Sequence, residues 1–153
     1  MRIVIAYLLL VTLPSIAHAQ TPLTERIEIS KAGIYTTDAK HNYQQVSLLQ
    51  STTTIPAKIG IEFGVTFRLV GKPNGARVDL RYVTLIPSPG TRNPATGKIT
   101  LREERSLLAT LGQEATRLYV FEERWELIPG TWTFEFWQGD RKLGAQSFTM
   151  VKP

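Results

Sequence analysis

A hydrolytic triad needs a general base, usually histidine, and beyond its first nineteen residues the chain holds only His41. It stands between Lys40 and Asn42 in a polar stretch, where an exposed imidazole with no catalytic or metal-binding role is expected. Paired carboxylates are the other route to acid–base chemistry, as in glycoside hydrolysis. Glu103-Glu104 and Glu122-Glu123, with Glu126, are the candidates. Adjacent residues on a strand point to opposite faces, so neither Glu-Glu pair converges on one substrate atom. Glu104 and Glu122 can meet across strands, but Arg102, Arg105 and Arg124 stand close in sequence. Surface ion pairing is the expectation.

Residues 90–99, Gly-Thr-Arg-Asn-Pro-Ala-Thr-Gly-Lys-Ile, imitate a phosphate loop. Six residues separate the glycines where four are required, and Ile99 stands where Ser or Thr would hold Mg²⁺. Asp38, Asp79 and Asp140 are isolated and lack calcium-loop spacing. The chain has no cysteine, which removes disulfides, thiolate metal sites and cysteine nucleophiles together. The sequence therefore predicts no catalytic residue, no metal, no cofactor and a protein that is not an enzyme.

What remains is binding. Trp132, Phe134 and Phe136 alternate with Thr131, Thr133 and Glu135, the period-2 pattern of a strand with one buried face. These aromatics belong in the core, with Trp125, Phe63, Phe67 and Phe148. By the same alternation Trp137 shares the solvated face of Thr133 and Glu135. An outward Trp beside the Gly139-Asp140 turn can serve as a platform for a sugar ring or a partner protein. Trp137 and Arg141 form one candidate surface. Arg92 and Asn93, in a long exposed loop or wide hairpin end over residues 87–98, form the other.

These residues need strands to hold them. Arg26-Ile27-Glu28-Ile29-Ser30 alternates as a first strand and continues, through a bulge at Gly33, into Ile34-Tyr35-Thr36. Residues 38–43 are polar and read as a loop, and residues 45–54 as a strand with a solvated face. Pro56 cannot donate to a ladder and marks an edge or turn. Ile61, Phe63, Val65, Phe67 and Leu69 alternate without error. Pro73-Asn74-Gly75 is a hairpin signal, with a returning strand through Val78, Leu80 and Tyr82. Residues 99–105 resume extended structure. Residues 106–116 fit a short helical turn or an irregular strand over 107–111, with Gly112 weakening the helix. Residues 117–121 are strongly β-forming. Residues 125–151 read as the last three strands, with Pro129-Gly130 and Gly139-Asp140 as turns. The fold class is all-β, an immunoglobulin-like antiparallel sandwich of about seven to nine strands, with a closed barrel as the alternative.

The first nineteen residues stand apart. Arg2 precedes an apolar run over residues 3–13, and Ala17-His18-Ala19 fits the small-x-small cleavage pattern. The run is too short to span a bilayer. Residues 1–19 are read as a signal peptide cleaved between Ala19 and Gln20, and residues 20–153 as one domain, periplasmic or secreted, with no transmembrane segment. Loss of Arg2 lowers the net charge from +5 to +4. The positive residues are dispersed, and a nucleic-acid role lacks its basic stripe.

Several phrases resemble a bacterial domain-of-unknown-function family, number three-eight-five-nine. They are Trp125-Glu126-Leu127-Ile128-Pro129-Gly130-Thr131-Trp132-Thr133-Phe134 with Lys142-Leu143 and Ser147-Phe148-Thr149, and earlier Gly33-Ile34-Tyr35, Ile55-Pro56-Ala57-Lys58-Ile59-Gly60 with Phe63-Gly64, and Asn93-Pro94 with Thr96-Gly97. The resemblance covers about residues 27–151. It implies a small exported or envelope-linked immunoglobulin-like domain and carries over no functional residue. The expected partner is an envelope protein or a glycan.

Overall fold

The computed structural model describes residues 22–40 and 43–152. Residues 1–19, read as a signal peptide, the expected cleavage point and His41 lie outside these residues. In chain order the strands are β1 Leu23–Lys40, β2 Tyr43–Ser51, β3 Thr54–Pro56, β4 Glu62–Lys72, β5 Arg77–Leu85, β6 Thr91–Arg92, β7 Ile99–Thr100, β8 Arg102–Thr110, β9 Glu114–Val120, β10 Gly130–Gln138 and β11 Arg141–Val151, with a 3-10 turn at Arg124–Glu126. One sheet runs β2-β1-β4-β9 and the other β3-β11-β10-β5-β8. β6 and β7 form a separate ribbon. Apart from that ribbon and the three-residue β3, the strands of the two sheets number eight, within the range the sequence predicts. Pairing is antiparallel except for β3 on β11.

The core lies between the two sheets. The alternating face of β4 gives Phe63, Val65, Phe67 and Leu69, all buried. Opposite stand Trp132, Phe134 and Phe136 of β10 and Phe148 of β11, also buried. Phe63 is the hub: its ring centroid lies 5.2–6.3 Å from those of Phe121, Trp132, Phe134 and Phe148, the spacing aromatic pairs favour.

Three readings are corrected and one open alternative is decided. Residues 38–40 are not loop: β1 runs to Lys40 and pairs with β2 from Tyr43. The Pro73-Asn74-Gly75 turn is real, but β4 and β5 join different sheets, so the chain crosses the sandwich there instead of forming a hairpin. Residues 106–110 complete strand β8, and Leu111–Gln113 is the turn into β9. Trp125–Leu127 is not a strand. Glu126 reaches back to accept the N–H groups of Glu122 and Glu123, both at 2.8 Å, and this closes a 3-10 turn. Trp125 is consequently half-buried and outside the core cluster. The Gly139-Asp140 turn is a two-residue hairpin, with Gln138 facing Arg141. Gly139 takes φ +55° there, which glycine adopts without steric cost.

Candidate functional site

β8 and β9 follow one another in the chain yet edge different sheets on the same flank. Between them lies a cleft of about 450 Å³, lined by Tyr82, Thr84, Glu103, Arg105, Arg117 and Tyr119 among others. Strand alternation puts these side chains there. Glu103 and Arg105 share the inward phase of Leu107 and Ala109, which are buried. Arg117 and Tyr119 share the phase of Phe121, also buried. Along β8 the inward positions turn from apolar at Ala109 and Leu107 to charged at Arg105 and Glu103, and on β9 Arg117 and Tyr119 stand between Ala115 and Phe121, so the core gives way here to a polar hollow.

Four of the charged and polar side chains in the hollow are engaged in pairs. Tyr119 Oη donates to Glu126 Oε1 at 3.0 Å. Burial first, then the Glu126 charge, pushes that phenol above its usual range. Arg105 lies 3.6 Å from Glu103. The groups without a partner among the described residues include Tyr82, Arg117 and the Glu122 carboxylate. Tyr82 is 7 % exposed, and its hydroxyl has no hydrogen-bond partner. Burial raises the Tyr82 phenol far above its usual value, so it stays a neutral donor. The neighbouring Thr84 hydroxyl favours the ionised phenol but forms no hydrogen bond with it. Half-buried Arg117 forms no ion pair among the described residues. An unpaired buried hydroxyl costs about 1–3 kcal/mol, a penalty that a bound acceptor removes. The hollow is therefore equipped to hold a polar, acceptor-bearing group.

The surfaces expected from sequence lie elsewhere, and not together. Trp137 and Arg141 flank the turn after β10; the loop with Arg92 and Asn93 lies at the opposite end of that strand, where Gly130 approaches Pro87. Trp137 sits on the outer face, half-buried. Its Nε1 donates to Glu135 at 3.0 Å, and Arg81 and Lys142 stand over its ring at 5.4 and 5.7 Å. Arg141 donates to the carbonyls of Thr24 and Glu25, which fastens the start of β1. Asn93 Oδ1 accepts from the N–H groups of Ala95 and Thr96 and so shapes its own loop. Arg92 is exposed, and its strand β6 lies against the 3-10 turn that borders the hollow through Glu126. Glu104 faces outward to Arg102 and Arg81, whereas Glu122 lines the hollow, so those two carboxylates do not meet. Among the described residues no His, Cys, Asp and Glu cluster could hold a metal ion, and no helix is long and apolar enough to cross a membrane.

Glu135 is 7 % exposed on the outer face. Burial alone would raise its carboxyl, but Lys142 Nζ at 3.0 Å and the Trp137 N–H overcome that and hold it below the usual carboxylate range. A carboxyl lowered in the fold stabilises it above the unfolded value, near 4.3. That stability is lost as pH falls through the folded value. Urea midpoints measured from pH 6 downward should therefore decline through the acid range, and the decline should be shallower in Glu135→Gln. Equal slopes in both proteins would show that the pair adds nothing.

Sequence reasoning missed the hollow, although one signal was present. Glu103, Arg105 and Arg117 are charged residues in the inward phase of their strands, out of place in a closed core and in place at an open flank.

A family model described as domain of unknown function (DUF3859) matches residues 25–150. This is the family whose phrases the sequence resembles. Among solved structures, an immunoglobulin-like protein from Pseudomonas aeruginosa is similar, with 28 % identity and a TM-score of 0.62 over 84 % of this chain and 98 % of that one. The all-β, immunoglobulin-like sandwich read from the sequence is thereby borne out. No curated protein matches the chain.

Proposed function

The chain belongs to the domain-of-unknown-function family DUF3859, and from that footing we propose that it is an exported, non-catalytic domain that binds another envelope component. The observation that carries the reading is the hollow between β8 and β9, where the Tyr82 hydroxyl has no hydrogen-bond partner and the Arg117 guanidinium no ion pair among the described residues. Concave sites with a few convergent polar groups are where small ligands and partner side chains bind. The leader pattern over residues 1–19 supports export, and Arg92 extends the surface along the rim. Carbohydrate recognition through Trp137 ranks behind. An indole whose N–H is spent on Glu135 and whose ring is attended by two cations offers a sugar little free face.

Site-specific photo-crosslinking in cells tests this. A photoreactive residue at Arg105, on the rim of the hollow, should trap one discrete adduct in the envelope fraction. Arg117→Ala combined with Tyr82→Phe should weaken it at least about tenfold, the effect of losing one or two polar contacts. The same probe at Leu108, on the outer face of β8, should trap none. The recovered chain should begin at Gln20. Equal adducts from both positions, or none from Arg105, would remove the hollow as the binding site.

A further inference from the structure

Each sheet ends in two edge strands, and three of these four edges are guarded. β8 carries Arg102, Glu103, Glu104 and Arg105; β9 carries Glu114 and Arg117; β3 has three residues and ends on Pro56. Charge, shortness and proline are the devices by which natural sheets prevent edge-to-edge pairing. β2 has none of these three; its one irregularity is a bulge at Leu49, which has no partner between the Ile34–Gln50 and Tyr35–Leu48 pairs, and Tyr43 to Leu48 pairs without interruption. The strand is nine residues long, and from Tyr43 to Ile55 the chain contains no charged residue, glycine or proline. Among the described residues β2 pairs with β1 alone. Pairing of β1 with β4 stops at Tyr35, so beyond that point the hairpin is only two strands wide, an arrangement of marginal stability by itself. Val46 is 40 % and Leu49 66 % exposed.

We infer that β2 pairs antiparallel with β2 of a second copy about a two-fold axis through Ser47, joining the two four-stranded sheets into one. The strand is complementary to itself. Val46 and Leu48 share a face, and the axis at Ser47 sets Val46 of each copy against Leu48 of the other, giving two apolar cross-strand pairs. Because β2 is uncharged, self-pairing opposes no like charges, and the strand offers a charged foreign strand no complement. The interface is separate from the hollow, which lies against the opposite edge of the same sheet.

The absence of cysteine makes the geometry directly testable. Residues facing each other across an antiparallel pair have Cα atoms about 4.5–5.5 Å apart, within disulfide reach. Ser47→Cys should therefore give a covalent dimer under mild oxidation. Gln45→Cys should not, because in this register its own counterpart is roughly 13 Å away. Sedimentation of the purified protein should show a monomer–dimer equilibrium, and Val46→Lys should weaken the dimer at least tenfold with the circular dichroism spectrum unchanged. If Val46→Lys fails to fold, the cysteine pair still decides. A wild-type protein that is monomeric at every concentration, equal coupling at positions 45 and 47, or a dimer indifferent to a folded Val46→Lys would each overturn the inference.

Discussion

Trp132→Ala is expected to lower the unfolding free energy by about 3–5 kcal/mol, the range for truncating a buried aromatic. The indole is fully buried and meets Phe63, Tyr119 and Phe121 edge-on at 5.1–6.3 Å, so its loss leaves a cavity bounded by three rigid rings. It also orphans the Ile128 carbonyl, which accepts the indole N–H at 2.9 Å. For a domain of this size the drop corresponds to roughly 10–20 °C in Tm. Trp132→Phe should recover part of the packing and none of the hydrogen bond. Urea unfolding of both variants is the measurement. A loss below about 1 kcal/mol for the alanine variant, the scale of surface changes, would mean that β10 does not present this face to the core.

Gly64→Ala should cost about 3 kcal/mol, the upper end of the overpacking range, although it adds a single methyl. A Cβ at Gly64 would lie 1.9 Å from the Arg117 carbonyl oxygen and 2.9 Å from Leu118 Cα. Both are backbone atoms of β9, so no rotamer change relieves the clash, and β9 itself must shift. Because β9 carries Arg117 and Tyr119, the same change should also disturb the hollow and abolish the Arg105 crosslink. Gly60→Ala sets the scale. Its Cβ would meet nothing within 4 Å, and only the positive φ of +84° is penalised, by about 1–2 kcal/mol. If Gly64→Ala proves no worse than Gly60→Ala by urea midpoint, β4 and β9 are less tightly apposed than their register implies.

The residues that were legible in the sequence are those whose environment is decided by the main core. The β4 alternation from Phe63 to Leu69 and the β10 alternation from Trp132 to Phe136 both landed on the buried face, because one side of each strand meets a complete opposing sheet. Where that condition fails, pattern fails. The end of β1 has no apolar period because it lies beyond the reach of β4, and it read as a loop. Pro73-Asn74-Gly75 reports a reversal of direction but carries no information about which sheet the next strand joins. Trp125–Leu127 looked like a strand by composition; the Glu126 carboxylate, by competing for backbone N–H groups, made it a 3-10 turn. The hollow is recorded only as three charges in an inward phase, a signal that needs the pairing of β8 and β9 to be known before it can be read. Arg141 and Asn93, singled out as possible binding residues, also fasten backbone, a duty that depends on neighbours distant in sequence or on local loop geometry.

The parallel pairing of β3 with β11 also has a consequence in time. β11 is not a border strand; it is held between β3 and β10, and Thr149 meets Thr54 across roughly 95 residues of intervening chain, an ordering cost that rises with the logarithm of loop length. As the chain is made, β3 has no partner in its sheet until the final strand emerges, and Phe148 and Met150 are missing from the core until then. The domain therefore cannot close stepwise from its beginning. Closure waits for β11 and falls in the millisecond-to-second regime of folds built from distant pairings.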